Sequence, residues 1–158
     1  MKGSTAKKIE DRTNNLPLYF VDSSVFLEVI MKQMHSQECL SFFNRASYKY
    51  QLITSTIVMG EVVKVLNKLE NNVVKRESLL FFADILENSR LSIISMNFEC
   101  LSNIEQIRMI EPYLMPSDSM IFSSALTESA EAFITLDSDF SSRLSIEFDI
   151  NIKKPVET

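Results

Sequence analysis

The fold is indicated most clearly by residues 18–24, which read LYFVDSS. Four apolar residues in a row are typical of a strand that is buried on both faces, because a half-exposed strand alternates apolar with polar residues. The run ends at Asp22, and an aspartate followed by two serines can begin a helix by accepting hydrogen bonds from its first free N–H groups. The stretch therefore predicts a buried strand, a helix, and a carboxylate at their junction.

The succession of a strand and a helix repeats along the rest of the chain. Further short strands are predicted at residues 51–54, 91–95, 133–136 and 148–152, and helices at 25–32, 36–50, 56–70, 73–88, 98–110 and 118–129. Short strands separated by helices predict an α/β fold, a three-layer α/β/α sandwich with a central, mostly parallel sheet of four to five strands. Residues 17–158 are predicted to form one domain, and the polar residues 1–16 a flexible N-terminal extension.

Scarce residue types exclude several classes of enzyme. The two glycines, Gly3 and Gly60, are too few for a glycine-rich phosphate loop or a G-x-G-x-x-G turn, so we expect no nucleotide cofactor. The single histidine, His35, lies in a polar run and is predicted to be a solvated surface residue, which excludes a histidine-rich zinc site. Cys39 and Cys100 form no C-x-x-C pair and are predicted to be reduced core thiols.

Charge and hydropathy bear on partners and location. The net charge of -5 disfavours binding of nucleic acid by bulk electrostatics alone, although a metal site could reverse the sign locally. No segment approaches the roughly 20 apolar residues of a membrane span, and residues 1–15 lack the apolar middle of a signal peptide. The sequence therefore predicts a cytoplasmic protein with no membrane partner.

Four acidic residues occupy positions where a parallel sheet can bind a ligand. Asp22 and Asp137 directly follow the first and fourth predicted strands. Asp118 begins the helix before the fourth strand, and Glu61 lies on the flank of the apolar face of helix 56–70. Since ligands of such sheets bind beyond the carboxyl ends of the strands, all four side chains could converge on one notch at that end.

A cluster of carboxylates would favour a cation. Two negative charges about 4 Å apart repel by about 4 kcal/mol at an effective dielectric of about 20, and a bound metal or a shared proton would relieve that repulsion. Carboxylate oxygens without histidine or thiolate suit Mg²⁺ or Mn²⁺. These ions serve phosphodiester chemistry, in which a carboxylate that is not fully committed to metal could take the proton from an attacking water.

Each acid also has a structural explanation of its own. Asp22 could only cap a helix. Glu61 could be a solvated helix residue paired with Lys64. Asp118 could satisfy free backbone donors at a helix start, and Asp137 could form an Asx-type turn after its strand. The functional prediction depends on the joint pattern of the four positions.

At this point the residues resemble a known family, the PIN domains. The resemblance extends from about residue 17 to 153 and is carried by four segments: residues 18–24, Thr54-Ser55-Thr56 leading to Glu61, Ser117-Asp118, and residues 133–140. PIN domains are metal-dependent ribonucleases, and the compact prokaryotic ones are commonly VapC-like toxins of type II toxin-antitoxin pairs. The resemblance thus implies a PIN-like endoribonuclease that cuts RNA.

The resemblance also implies roles for particular residues. Asp22, Asp118 and Asp137 would bind Mg²⁺ or Mn²⁺, directly or through water. Glu61 would complete the metal pocket and help to position or activate water, and Asp139 is a candidate for an auxiliary metal ligand.

The family pattern further implies supporting contacts and partners. Ser23 and Thr135 would be hydrogen-bond partners of the metal ligands. Ser24 stands where many relatives carry asparagine, so this chain departs from the family pattern at that position. Relatives that act as toxins pair as homodimers and are silenced by an antitoxin protein, and we expect both partners.

Three other functions remain open. The acidic charge and the lack of a basic patch are compatible with a PIN-like protein-interaction scaffold without activity, and a PIN nuclease could act in RNA processing or decay instead of as a toxin. An aspartate-based phosphotransferase, suggested by the Asp137-Ser138-Asp139 run, is disfavoured because little chain follows to supply its remaining residues. Scattered basic residues could contact RNA or be solvated helix faces: Lys64, Lys68, Lys75 and Arg76.

Overall fold

The computed structural model describes residues 16–158. The extension predicted for residues 1–16 therefore lies, apart from Leu16, outside the described residues. A five-stranded sheet runs through the described part, made of β1 (Leu18–Val21), β2 (Gln51–Ser55), β3 (Ser92–Ile94), β4 (Ala132–Ile134) and β5 (Asn151–Lys153). Its order is β3-β2-β1-β4-β5, and every neighbouring pair is parallel. The predicted α/β/α class is confirmed.

Helices connect the strands. Those of the described residues are α1 (Ser23–Ile30), α2 (Ser36–Asn44), α3 (Thr56–Leu66), α4 (Asn72–Asn88), α5 (Phe98–Ile110), α6 (Pro116–Thr127), α7 (Ser142–Phe148) and a 3-10 turn, Pro155–Glu157. The bounds of β1 and α5 match the prediction. Helix α6 begins two residues earlier than predicted, since a proline at the first helical position has the right φ and needs no hydrogen-bond donor there.

The prediction was wrong between residues 141 and 153. Helix α7 was not predicted, and the strand expected at 148–152 is β5, at Asn151–Lys153. The hydroxyl of Ser141 caps α7 by accepting from the N–H of Arg143, and Asp149 ends it in a left-handed conformation with φ 51°. A helix of 7 residues is too short to show a clear 3.6-residue period, and its apolar end merged with the strand pattern.

Helices α2 and α3 end earlier than their apolar patterns suggested, at Asn44 and Leu66. After α2 the backbone turns at Ser47, whose φ is 67°, and such a left-handed residue cannot continue a helix. The residues that follow α3 form turns before α4, which Asn71 caps by accepting from Val73 and Val74 N–H. The predicted boundaries are therefore off by a few residues, as expected where side-chain caps decide the ends.

Strand β1 lies at the centre of the sheet, which explains why it consists of large apolar residues. Phe20 pairs with Ile53 of β2 on one side and Phe133 of β4 on the other. Phe20 and Val21 are fully buried, and the ring of Phe20 stacks on Phe133 with centroids 5.6 Å apart. The direction of chain progression through the sheet reverses at β1, so the carboxyl ends of β1 and β4 border the crevice in which such folds bind ligands.

Three other predictions concern single residues and the membrane. Cys39 and Cys100 are buried and unpaired, which confirms the predicted core thiols. His35 is half exposed and its Nδ1 lies 2.8 Å from a carboxylate oxygen of Glu38, which confirms a surface position. Within residues 16–158 we find no helix with the length and apolar character needed to cross a membrane.

Candidate active site

Asp22 lies at the end of β1 and is held by two hydroxyl groups. Ser24 Oγ donates to Asp22 Oδ2 over 2.7 Å, and Thr135 Oγ1, which follows β4, donates to the same oxygen over 2.8 Å. Asp22 occupies the N-cap position of α1, but its side chain makes no capping hydrogen bond. Asp22 is only 2% exposed, and its carboxylate lies between the first turn of α1, which supplies Ser24, and the end of β4, which is followed by Thr135.

The two hydroxyls also fix the loop after β4. Leu136 N–H donates to Ser24 Oγ and Asp137 N–H donates to Thr135 Oγ1, both over 3.0 Å. Each hydroxyl has one proton, which it gives to Asp22, so the 3.2 Å contact between the two oxygens is not a hydrogen bond. Two hydroxyl groups that donate to one carboxylate oxygen favour the ionised form of Asp22. Burial raises the pKa of Asp22, and these two donors oppose that rise.

Glu61 is joined to the same corner from a different element. It lies on α3, and Ser23 Oγ at the start of α1 donates to Glu61 Oε2 over 2.8 Å, across 38 positions of sequence. The pairing with Lys64, which would have made Glu61 an ordinary helix residue, is not formed. Across residues 16–158 the ion pair present joins His35 and Glu38. Glu61 thus belongs to the cluster around Asp22.

Strand β2 sets the position of α3. Thr54 Oγ1 donates to the backbone oxygen of Val21 over 2.8 Å in a buried contact, which ties the end of β2 to the end of β1. Ser55 then caps α3 by accepting from Val58 N–H. Because α3 begins directly after this strand, Glu61 lies within two turns of the crevice.

Asp118 completes the cluster from the first turn of α6. Its carboxyl group is half buried, and its pKa is raised to about 7. Burial is the main cause, followed by the negative charges of Glu61, Asp22, Asp137 and Asp139. The four acids singled out from sequence, together with Asp139, therefore act on one another electrostatically at one end of the sheet.

Asp137 and Asp139 lie at the solvent side of this cluster. Asp139 N–H donates to Asp137 Oδ1 over 2.9 Å, which is the Asx-type turn considered above. Asp139 is exposed and Asp137 is half buried. The turn does not remove Asp137 from the cluster, since its charge raises the pKa of Asp118.

The segments that build this site coincide with a known family. A family model described as PIN domain matches residues 19–143. The chain belongs to the PIN domain family. No curated protein sequence matches it.

Several solved structures share the fold of this chain. FitAcB from Neisseria gonorrhoeae is 18% identical with a TM-score of 0.68, covering 89% of this chain and 99% of that one. VapBC2 from Rickettsia felis, bound to a DNA fragment from its promoter, is 19% identical with a TM-score of 0.66, covering 87% and 98%. VapC20 from Mycobacterium tuberculosis, a Sarcin-Ricin loop cleaving toxin, is 17% identical with a TM-score of 0.60, covering 78% and 93%. Likeness at this level of identity concerns the fold.

The chemistry of this PIN site fits a hard cation. Within residues 16–158, no group of three or more histidine, cysteine or acidic side chains is arranged closely enough to hold a metal ion unaided. Mg²⁺ is ordinarily bound through one or two carboxylates, with waters and substrate phosphate completing its shell. A donor set of carboxylates and hydroxyls, with a pKa near neutrality at Asp118, matches that mode of binding because a cation would offset the mutual repulsion.

Three hydroxyl groups support the acids of the site. Thr135 donates to Asp22 and Ser23 donates to Glu61, so each of the two residues expected to support the site does contact one of its acids. Ser24, which departs from the asparagine of many relatives, donates to Asp22 over 2.7 Å. A hydroxyl two residues after Asp22 was the available signal, since a serine at a helix start can reach back to the preceding turn.

Proposed function

We propose that this PIN protein is a divalent-metal-dependent endoribonuclease that hydrolyses RNA phosphodiester bonds. The observation that carries the proposal is the convergence of Asp22, Glu61, Asp118 and Asp137 at the carboxyl ends of β1 and β4, where the charges of the other three raise the pKa of Asp118. Carboxylates that repel one another destabilise a fold. A metal-binding role accounts for their being together.

Asp22, Asp118 and Asp137 would hold Mg²⁺ or Mn²⁺, with Asp139 as an auxiliary ligand. When bound, the ion supplies positive charge at the scissile phosphate and lowers the pKa of water. Side chains of the protein position the reacting groups and accept the proton. Ser24 and Thr135 orient Asp22 as an acceptor. Ser23 orients Glu61, which accepts the proton of the attacking water.

The biological role we propose is that of a toxin paired with an antitoxin protein. It is supported by the fold shared with VapC20, which is a Sarcin-Ricin loop cleaving toxin, and with a toxin-antitoxin complex from Klebsiella pneumoniae. A toxin of this kind would form a homodimer and act on RNA in the cytoplasm. A neighbouring small reading frame that encodes a DNA-binding protein would support this role, and its absence would favour a PIN nuclease of RNA processing or decay.

Cleavage of a fluorescent single-stranded RNA by the purified protein tests the nuclease. We expect cutting with added Mn²⁺ or Mg²⁺, none in EDTA, and loss of cutting in Asp22→Asn and in Asp118→Asn. Asp84→Asn is the matched control, since Asp84 is an exposed aspartate on α4. Undiminished cutting in either active-site variant would refute the assignment.

An inactive scaffold is the second candidate. The net charge of -5 favours it, because an acidic protein binds nucleic acid poorly by bulk electrostatics. Isothermal titration with Mn²⁺ separates the two functions. Millimolar Mn²⁺ that produces no heat, together with intact RNA, would favour the scaffold.

A further inference from the structure

The acids of the candidate site belong to segments that repel one another. Asp118 comes from the first turn of α6, whereas Asp137 and Asp139 come from the loop after β4, residues 135–141. The charges of Asp137 and Asp139 raise the pKa of Asp118, so like charges act across the space between α6 and this loop. Without a cation, the repulsion favours separation of the two segments. Contacts that join the loop to α6 therefore determine how closely the acids stay together.

A hydrogen bond between two side chains joins these segments beside the acids. Ser141 Oγ donates to Glu111 Oε1, across 30 positions of sequence. Ser141 lies two residues after Asp139. Glu111 directly follows α5 and begins the turn into α6, in which Leu114 N–H donates to the backbone oxygen of Glu111 over 3.1 Å. The hydrogen bond thus connects the loop that carries Asp139 to the turn that precedes Asp118.

Helix capping does not account for this hydrogen bond. The oxygen of the Ser141 hydroxyl caps α7 by accepting from Arg143 N–H over 3.2 Å. The proton of the same hydroxyl goes to Glu111, so the cap would form equally well without that carboxylate. Both side chains are partly buried, and a hydroxyl that donates to a carboxylate makes a stronger hydrogen bond than two neutral groups make. The contribution of Glu111 is therefore the link across to the loop.

A buried phenylalanine joins the same two segments from the core. Phe140 is 5% exposed, and its ring packs on Phe133 of β4 and Phe122 of α6, with centroids 4.7 Å and 6.0 Å apart. Phe122 lies about one turn after Asp118 on α6. The apolar contact fixes the loop from below, and the hydrogen bond made by the next residue, Ser141, fixes it at the level of the turn before α6.

We propose that Glu111 is a positioning residue of the candidate metal site, which accepts from Ser141 and so holds the loop of Asp137 and Asp139 against the start of α6. The inference rests on the metal-binding function proposed above. Glu111 and Ser141 lie outside the four segments that carry the sequence resemblance to PIN domains. The effect of Glu111 on the ion is indirect. Carboxylates that are already held close together lose less conformational freedom when a cation binds them.

Calorimetric titration of the metal-free full chain with Mn²⁺ tests this role. Glu111→Ala keeps the cap of α7 and removes only the acceptor. Loss of a group that directly contacts a metal ligand weakens metal binding by about ten- to a hundredfold, and Glu111 is one step more remote, so the Kd should rise about five- to tenfold.

The matched variant Glu111→Gln separates the hydrogen bond from the charge. The amide oxygen of glutamine can still accept from Ser141, so the Kd for Mn²⁺ should stay within about twofold of the wild-type value. Equal weakening in Glu111→Gln and Glu111→Ala would mean that the charge of Glu111 acts on the ion, which would overturn the proposal.

Variants of the serine test the same contact from its other side. Ser141→Ala should weaken Mn²⁺ binding, and the double variant with Glu111→Ala should bind about as weakly as Ser141→Ala alone, because both changes break one hydrogen bond. Ser141→Thr keeps a hydroxyl that can cap and donate, and its Kd should lie within about threefold of the wild-type value. Losses that multiply in the double variant would contradict a shared contact.

Two control variants distinguish positioning from loss of stability. Ser145→Ala removes a hydrogen bond at the other end of α7, where Ser145 Oγ donates to the backbone oxygen of Ile150 over 2.7 Å. It should lower the urea midpoint without changing the Kd for Mn²⁺. Glu99→Ala removes an exposed glutamate from α5 and should change neither. Weaker Mn²⁺ binding in Ser145→Ala, in step with its stability, would overturn the positioning role.

RNA cleavage by the same samples separates this inference from the nuclease. In Glu111→Ala the Mn²⁺ concentration for half-maximal cleavage should rise about five- to tenfold, while kcat at saturating Mn²⁺ stays within about twofold of the wild-type value. A Kd that rises in Glu111→Ala, in a chain that leaves RNA intact, sinks the nuclease and keeps the positioning role. An unchanged Kd overturns positioning and keeps the metal site. A wild-type chain that binds no Mn²⁺ refutes both.

Discussion

Replacing Asp118 by asparagine should stabilise the metal-free protein while it destroys activity. In the folded chain the pKa of Asp118 is about 7, against 3.8 for an aspartate free of such surroundings. The folded state therefore binds this proton more tightly than the unfolded state does. The stability due to the proton is fully present below pH 3.8 and is lost as the pH rises through 7. Above that pH the charged carboxylate costs its full amount.

The size of the effect follows from the shift. Each unit of pKa corresponds to about 1.36 kcal/mol, so a shift of roughly three units in a fully buried group would represent about 4 kcal/mol. Asp118 is only half buried, and solvent screens its neighbours, so we expect Asp118→Asn to raise the free energy of unfolding by about 1 to 2 kcal/mol at pH 8. Asparagine carries no charge, so the burial and the neighbouring carboxylates that raise the pKa of Asp118 would no longer act against a charged group there.

Urea denaturation in EDTA at pH 8 and pH 5 measures this prediction. The gain should shrink between pH 8 and pH 5, because the aspartate of the wild type becomes protonated in the folded state. Added Mn²⁺ should raise the unfolding midpoint of the wild type more than that of the variant, since binding to the folded state stabilises it. Asp84→Asn provides the baseline for an exposed charge. An Asp118→Asn protein that is less stable at pH 8 in EDTA, or whose gain is the same at both pH values, would refute the reasoning.

Three further predictions concern neighbouring residues. Thr135→Val removes a donor to Asp22 and should lower the free energy of unfolding by about 1 to 3 kcal/mol, which a urea titration measures; no loss would contradict the network. Ser23→Ala frees Glu61 and should reduce kcat with little change in the urea midpoint, and an unaltered kcat would count against a positioning role. At Gly60, where a Cβ would meet nothing, alanine should stabilise by about 0.5 to 1 kcal/mol in thermal unfolding, and destabilisation would contradict the open space.

Local sequence was enough to predict the fold class and the four acids. The apolar run at residues 18–21 has no alternation, so it predicted the central strand, and α5 was bounded correctly because Asn97 caps it and Pro112 follows its end. These signals work because strand burial, caps and proline act over a few residues. Because Asp22 and Asp137 each follow a strand, their order in the sequence then placed both at the carboxyl end of the parallel strands.

Tertiary structure alone decided which groups touch. Ser23 reaches Glu61 across 38 positions, and Thr135 reaches Asp22 across 113. These contacts depend on how two helices cross the sheet and on the parallel register of β1 with β4, neither of which is written in a local pattern. The side of α5 that carries Phe98 and Met109 is a further example. Its residues read as an ordinary helix in the sequence, and only the packing of the opposite face on α6 leaves them exposed to water.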